Sequence, residues 1–370
     1  MVVDRQLADA RRERIRAVLA ERGSARVAEL ASLLQVTEIT IRRDLERLEG
    51  AGALERVHGG ARLAPGVSAG VPDAADTSRL RPRYSGQVAM LVPALDFYWP
   101  SVARGAESEA KKYGLRLMLC GDSYESTDER PALAPLFESA DVMGVLAVPN
   151  EERGNAADVI AWIGEQTQPC VLMEREAVDP RTHAPVESVV SDHALGAEMA
   201  VRHLWDLGHR DIGLVVSRDS PTTRKIRIGF ERVLAELGIG PAVDTMIPST
   251  RTPGFAAAVE AVVEAVRASA VTALLVHSDR EAMALAQALE VRGIKVPGDI
   301  SLVAYDDEVA GMFVPALTAV RPAREMLGQA AISLLVGRLG DPARPVHRVL
   351  ISPELHVRES TARPARRTRR

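Results

Sequence analysis

Between Gln87 and Tyr305 the chain alternates short apolar runs with amphipathic stretches, and this alternation constrains the fold more than any other feature. The runs "QVAMLV", "LRLMLC", "GVLAV" and "CVLME" are separated by "SVARGAESEAKKYG", a helix near "ALAPLFESA" and one around "DVIAWIGEQ". A second series follows, with helix "HALGAEMAVRHLWDLG", strand "IGLVVS", helix "RKIRIGFERVLAELG", a short strand near "DTMI", helix "FAAAVEAVVEAVRA", strand "ALLVH", helix "REAMALAQALEVRG" and strand "SLVAY". A strand without polar alternation is buried on both faces, and helical crossovers make neighbouring strands parallel. The pattern predicts an α/β body of two lobes, each a parallel sheet flanked by helices.

The N-terminal segment breaks this rhythm. "RRERIRAVLAERG" carries an apolar stripe at Ile15, Val18 and Leu19, and "VAELASLLQV" a shorter one at Leu30, Ala31 and Leu34. "VTEITIRRDLERLEG" carries a third at Ile41, Leu45 and Leu48, all on one side of a helix. Thr37 is a suitable N-cap, its hydroxyl placed to take a backbone N–H near Thr40, with Val36 stapled onto Ile41. Ile39, Arg43, Glu46 and Arg47 fall opposite the buried stripe, with Thr40 at the edge. Only a few residues separate the second and third helices, the tight connection of a helix-turn-helix whose second helix enters the major groove. Gly52 closes that helix, and "ALERVHGGARL" reads as two short strands about a His58-Gly59-Gly60 turn, which completes a winged helix.

Taken alone, "RRDLERLE" is an ordinary mixed-charge surface, with Glu38 to Arg42 and Arg42 to Glu46 as i,i+4 pairs. Arg43 and Arg47, however, share one face at a like-charge spacing that costs a few tenths of a kcal/mol unless an anion lies across it. The block from "RRERI" through "ELASLLQVTEITIRRDLERLEGAGALERVHGGA" closely resembles the DeoR-type DNA-binding domain, whose hallmark is a VT-x-x-TIRRDL recognition helix followed by a VHGGA wing. The partner implied is double-stranded operator DNA. Ile39, Thr40, Arg43 and Arg47 are expected to face the major groove, with Ile39 able to touch a thymine methyl, and Thr37 is expected among the DNA-binding residues. Arg56, His58 and Arg62 of the wing are expected at the backbone or minor groove. Arg42 lies on the flank, where it either meets DNA or pairs with Glu38.

From residue 64 to 85 the periodicity stops and Pro, Gly, Ala and Ser accumulate, so the segment reads as a linker between a DNA-binding domain over 1–63 and a second domain over 86–361. The closing "ARPARRTRR", residues 362–370, reads as a basic disordered tail without a heptad. From Gln87 to Thr361 the chain resembles the LacI-type effector domain, a periplasmic-binding-protein-like pair of lobes. The marks are "HLWDLGHRDIGLV", "GFERVLAELGI", "VPGDISLVAYDD", "PALTAVRPAREMLGQAA" and "LHVREST". The expected architecture is therefore a winged helix-turn-helix plus a two-lobed α/β domain. The pairing departs from both families: LacI-type repressors usually carry their own headpiece with a hinge helix, and DeoR-type proteins a sugar-phosphate-binding domain.

Ligands of such folds lie beyond the carboxyl ends of the strands, between the lobes. After the first strand come Asp96, Phe97, Tyr98 and Trp99, suited to stacking on a sugar or base face, or else to plugging the lobe's edge. The resemblance implies an acid and an arginine at Glu174 and Arg175, one of them toward ligand. It also implies ligand contacts at Ser278 and Asp279, although Asp279 equally suits an N-cap. Asp306 matches the aspartate that holds ligand hydroxyls in relatives, where a carboxylate takes charge-assisted hydrogen bonds. Relatives place a ligand-binding arginine three before the Gly of "GF"; here that position is Ile226, flanked by Arg224 and Arg227, and Arg224 is the expected substitute.

The net charge is −4, and residues 1–62 hold twelve Arg against ten Asp plus Glu, a balance of +2, so DNA affinity rests on placement and not on excess charge. Cys120 and Cys170 sit in apolar runs without metal spacing, which predicts buried free thiols in a reducing cytoplasm. The N-terminus lacks the apolar core of a signal peptide, and no run approaches the ~20 residues of a membrane span. There is no GxSxG, HExxH or P-loop; "GIGPAV" follows a helix and lacks a third glycine; and Asp306, Asp307 and Glu308, consecutive in an extended segment, do not converge on a metal. No cofactor is expected. An exported solute-binding protein needs an export signal and an enzyme needs a catalytic constellation. The expectation is a homodimeric, ligand-responsive regulator, a repressor of carbohydrate or nucleoside utilisation genes whose effector is a sugar, polyol or nucleoside.

Overall fold

A computed structural model describes residues 11, 14–15, 18–19, 24–34, 36–50, 54–57, 60–63, 84–96, 98–122, 127–151, 154–218 and 220–365. Gly52, His58, Phe97, most of the expected linker and residues 366–370 lie outside the described residues. The chain divides into two units, Met1–Arg81 and Pro82–Arg370.

In the first unit the helical residues Arg11, Arg14, Ile15, Val18 and Leu19 precede β1 (Ser24–Arg26), α1 (Val27–Leu33), α2 (Glu38–Gly50), β2 (Leu54–Val57) and β3 (Gly60–Leu63). The expected stripes are the core: Ile15, Leu19, Leu30, Ala31, Ile41, Leu45 and Leu48 are buried, with Val18, Leu34 and Val36 packed at its margin. Asp44, on the buried side of α2, is held by Arg11 at 2.6 Å. The sequence reading missed β1, which pairs antiparallel with β3 to make the sheet order β1-β3-β2. This pairing explains the second glycine of "HGG", because a Cβ on Gly60 would stand 2.3 Å from the Ala25 carbonyl oxygen.

The second unit has two sheets. The N-terminal lobe contains β4 (Gly86–Val92), β5 (Leu115–Gly121), β6 (Val142–Ala147), β7 (Cys170–Met173), β8 (Ser188–Ser191) and β14 (Arg348–Ile351), in the order β14-β8-β7-β6-β4-β5 and parallel throughout. Its helices are α3 (Tyr98–Lys112), α4 (Arg130–Glu138), α5 (Ala156–Gly164) and α10 (Arg324–Gly340). Strand β4 sends Val88, Met90 and Val92 into the core under α3 and α10, and Ala89 and Leu91 into the core under α4 and α5. Burial on both faces is what an uninterrupted apolar strand requires.

The C-terminal lobe contains β9 (Ile212–Ser217), β10 (Asp244–Ile247), β11 (Ala273–Val276), β12 (Ser301–Tyr305), β13 (Thr318–Arg321) and β15 (Glu354–His356), in the order β10-β9-β11-β12-β13-β15, with only the last pair antiparallel. Helices α6 (His193–Leu207) and α7 (Thr222–Leu237) cover one face, and α8 (Phe255–Ala268) and α9 (Asp279–Val291) the other. The chain passes between lobes three times: from β8 into α6, from β13 into α10, and from β14 to β15. These crossings bring Ser191, His193, Arg321 and Arg324 to the junction.

Two expectations need correction. Both cysteines are free but half-buried, Cys120 on the edge strand β5 and Cys170 at the start of β7, where burial pushes its thiol up to about 12. The segment after Thr361 does not leave the fold at once, since Ala362 donates its N–H to Ser301 Oγ at 3.0 Å and its carbonyl lies 2.8 Å from His209 Nε2.

Candidate functional site

Helix α2 starts as its sequence dictates: Thr40 donates its N–H to Thr37 Oγ1 at 3.4 Å, and the two hydroxyls stand 2.9 Å apart. With Ile41, Leu45 and Leu48 buried, the opposite side presents Ile39, Arg43 and Arg47 to solvent, and Ile39 is 69% exposed although apolar. Arg42, on the flank, pairs with Glu38 at 3.5 Å. In the wing, Arg56 stands opposite Ala61 and Arg62 opposite Glu55 in the strand register; their side chains lie outside the described residues.

At the lobe junction of the second unit, Glu174 follows β7 with a left-handed φ of 56° and is 6% exposed. One oxygen accepts the Tyr98 hydroxyl and, at 2.6 Å, the Ser191 hydroxyl; the other accepts the Ser191 N–H at 3.1 Å and faces His193 Nε2 at 3.2 Å. Burial raises this carboxyl, but His193 and the hydroxyl donors outweigh it and hold the group at about 2. The chain of contacts continues through His193 Nδ1 to the Tyr305 hydroxyl at 3.3 Å, and that hydroxyl donates to the His193 carbonyl at 3.0 Å. Gly196 leaves it room, since a Cβ there would lie 2.4 Å from the Tyr305 oxygen.

Other links join the lobes. Arg324, the first residue of α10, donates to the Asp306 carbonyl and, at 3.4 Å, to that of Asp307, with its guanidinium 5.8 Å from the Tyr98 ring. Lys225 of α7 reaches the Glu174 carbonyl at 3.5 Å and Glu176 at 3.9 Å. Asp96 meets Arg251 at 2.5 Å, an exposed pair of 43% and 70% accessibility at the rim.

Asp306 follows β12 in a left-handed conformation, φ 93°, with its side chain 21% exposed and one oxygen 3.7 Å from His277 Nε2. Burial, with repulsion from Glu281 and Glu174, raises it to about 6 against the pull of His193 and Arg324. The neighbouring Asp307 turns away into ion pairs with Arg321 and Arg358, each at 2.8 Å.

The structure changes the expected work of several residues. Glu174 already takes four donors, the capacity of a carboxylate, so it anchors the junction and has no oxygen left for a ligand. Arg175 is buried and spends its Nε on the Pro149 carbonyl and an Nη on the Glu174 carbonyl, both at 2.9 Å. Trp99 is buried in the N-terminal-lobe core and lines an outer groove with Leu95, Ala103, Leu117 and Leu119; one residue apart on a helix, its ring and that of Tyr98 are edge-on and do not form one stacking surface. Arg224 is exposed, and the basic residue that α7 aims at the junction is Lys225. Ser278, not Asp279, is the N-cap of α9, closing a capping box with Glu281. Asp279 accepts the N–H groups of Asp307, Glu308, Val309 and Ala310 at 2.6–3.1 Å, and thereby shapes the loop that carries Asp306. Sequence reasoning missed Ser191, His193, Lys225, His277 and Tyr305. All but Lys225 are polar groups at strand ends or at a chain crossing, which is the only signal the sequence held for them.

A winged helix-turn-helix with an exposed basic recognition face, followed by two α/β lobes that meet at a polar junction, defines a transcriptional regulator with a periplasmic-binding-protein-like domain. Residues 11–65 match the DeoR-like helix-turn-helix domain and residues 201–361 the periplasmic binding protein-like domain. The chain is 32% identical over 296 residues to an HTH-type transcriptional regulator of Streptomyces limosus, covering 77% of this chain and 81% of the relative. It is 28% identical over 283 residues to the HTH-type transcriptional regulator DegA of Bacillus subtilis, covering 75% of this chain and 81% of that one. Among solved structures, a LacI family transcriptional regulator from Enterococcus faecium with bound ribose superposes with a TM-score of 0.62 at 23% identity, covering 75% of this chain and all of the other. This chain belongs to the HTH-type transcriptional regulators, with a DeoR-like helix-turn-helix ahead of a LacI-type fold.

Proposed function

We propose that the chain is a repressor of carbohydrate or nucleoside utilisation genes that binds operator DNA as a homodimer and responds to a small hydroxylated effector held between its two lobes. The observation that carries the reading is the junction itself. Asp306 offers a carboxylate with free acceptor capacity at the carboxyl end of β12, in a setting where Arg324 and Lys225 link one lobe to the other. Contacts made to both lobes at once exist only when the lobes are together, so a ligand that makes them shifts the equilibrium between lobe arrangements. Residues 64–85 act as the linker to the DNA-binding domain over 1–63. Arg43, Arg47, Ile39, Thr40 and Thr37 contact the operator, with Arg56, His58 and Arg62 of the wing at the backbone or minor groove and Arg42 on the flank beside Glu38.

Two features support the dimer. A single small headpiece makes few base contacts, and pairing two of them on a two-fold site restores specificity. Strand β5 is the edge of its sheet and exposes Leu119 at 44%, beside Leu95 at 58%. An uncovered apolar edge is where a second copy adds. The reading also makes the protein a cytoplasmic non-enzyme. Its relatives are transcriptional regulators, and no described helix is long and apolar enough to cross a membrane. The test is a thermal-shift screen of the full chain against sugars, polyols and nucleosides, followed by DNA-binding titrations with each compound that raises the melting temperature. A compound that stabilises the protein and changes its DNA affinity supports the reading; stabilisers that leave DNA affinity untouched contradict it.

A further inference from the structure

Asp44 is the one buried charged residue among those described in the first unit; 3% exposed, it lies on the core side of α2 with Ile41, Leu45 and Leu48. Its carboxylate accepts the Nε–H of Arg11 at 2.6 Å. Arg11 belongs to the helical residues that include Ile15 and Leu19, and its side chain is 23% exposed. The bond therefore ties α2 to a second helical segment across the core. Glu38 and Arg42, by contrast, pair within α2 with both side chains more than half exposed, and that pair fixes α2 against nothing.

What holds α2 decides where its outer face points. Its start is set by backbone bonds, from the Val36 N–H to the Ala31 carbonyl at 3.1 Å and from the Thr40 N–H to the Thr37 carbonyl at 3.0 Å. Beyond that first turn the helix rests on Ile41, Leu45 and Leu48, and apolar burial is non-directional: it keeps a face against the core without setting the roll of the helix about its axis. A charge-assisted bond between an arginine and a carboxylate has a preferred length and direction. A buried ion pair adds little to stability, because desolvation offsets the attraction, and what it supplies instead is conformational specificity. At about 100° per residue, Asp44 stands about 100° from Arg43 and about 60° from Arg47, so its bond sets the angle at which both arginines leave the core. A roll of about 10° moves atoms at the ~6 Å surface radius of a helix by about 1 Å. That shift breaks a hydrogen bond to a base edge, whose length tolerates a few tenths of an ångström, and changes a Coulombic contact with a phosphate little.

We propose that Arg11 and Asp44 are positioning residues for DNA recognition: their bond fixes the roll of α2 and thereby the sequence preference of DNA binding more than its strength. The inference rests on the reading of α2 as the recognition helix. It adds two residues that act through Arg43 and Arg47 and are not themselves contacts to a base.

The test uses the full chain, the duplex it selects from a random-sequence pool, and a scrambled duplex of the same length and composition. Arg11→Met/Asp44→Leu replaces the pair by apolar side chains of similar size, an exchange of the kind that leaves the stability of a fold unchanged or raised. This variant is expected to melt cooperatively near the parent's temperature, to bind the scrambled duplex within about twofold of the parent, and to lose about tenfold or more of the preference for the selected duplex, the size of one lost base contact. Asp44→Asn keeps the shape and one acceptor oxygen, so it loses roughly threefold, and it carries the test alone if the double variant does not melt cooperatively. An unchanged preference in a folded variant overturns the inference and leaves the apolar stripe as what sets α2. An equal loss of affinity for both duplexes overturns it as well, because a structural or phosphate-contact role weakens both alike. Arg43→Ala separates the two layers. If Arg43→Ala also leaves the preference unchanged, the reading of α2 as the recognition helix falls; if it lowers the preference while the Arg11 and Asp44 variants do not, the positioning role alone falls.

Discussion

Replacing Glu174 probes the junction most sharply, because both of its oxygens are used and its surroundings predict different costs for two substitutions. In Glu174→Gln the amide nitrogen settles where Oε1 stood, since the Tyr98 and Ser191 hydroxyls there can turn to accept, while the remaining oxygen keeps the Ser191 N–H and His193. What is lost is charge assistance, about 1 kcal/mol for each of the two retained bonds, so roughly 2 kcal/mol. Glu174→Ala orphans four buried donors and costs roughly 3–5 kcal/mol. The pH dependence follows from the carboxyl being held at about 2 when folded against an ordinary 4.5. A depressed carboxyl contributes stability that is fully present above the unfolded value and is lost as pH falls through the folded one. Each tenfold change in proton affinity is worth about 1.4 kcal/mol, so the contribution is on the order of 3 kcal/mol, lost between pH 4.5 and 2. Urea unfolding followed by fluorescence of Trp99, Trp162 and Trp205 reads these quantities. The gap between the parent and Glu174→Gln should narrow as pH falls below 4.5. A Gln variant as stable as the parent at pH 7, or a gap constant from pH 7 to 3, refutes the assignment of Glu174 as the anchor.

Other outcomes follow from single contacts. Arg43→Ala should cost about 1–3 kcal/mol of specific DNA binding in a fluorescence-anisotropy titration and affect nonspecific binding less; equal affinity for the selected site would displace Arg43 from the groove. Ser278→Ala, which removes an N-cap, should lower stability by about 1 kcal/mol, whereas Asp279→Ala, which strands four N–H groups of the Asp306 loop, should cost at least about 3 kcal/mol by the same urea assay. Asp279 also gives a slope opposite to that of Glu174: burial, with repulsion from Asp306, raises it to about 6, so its contribution is present below pH 3.8 and lost as pH rises through 6, and the variant should lack that slope. Leu119→Lys on the β5 edge should shift sedimentation from dimer to monomer, and a variant that remains dimeric moves the interface elsewhere.

Much of the fold was legible because both of its periods are written plainly in the sequence. The recognition helix carries its cap, its stripe and its exposed face within fourteen residues, from Thr37 to Gly50, and all three are where the sequence puts them. The strands β1, β8, β14 and β15 were not legible, since "SAR", "SVVS", "RVLI" and "ELH" are too short or too polar to stand out and are strands only because distant partners pair with them. The site was half-legible. Helix phase separates Arg224 from the buried Ile226, since a residue two positions earlier lies about 200° around the helix, and Arg224 is exposed there. The capping box Ser278 to Glu281 was likewise written in the sequence. The role of Asp279 was not, because its four donors lie 28 to 31 residues away and only the fold brings them to it.

DNA recognition by this chain runs through α2. Duplexes selected by the full chain from a random-sequence pool, with Arg47→Ala and Arg43→Ala run alongside, make the measurement. The parent is expected to enrich a two-fold sequence in which each half-site loses information in both variants. Enrichment of no sequence by the parent, or of the same sequence with equal strength by the variants, would contradict it.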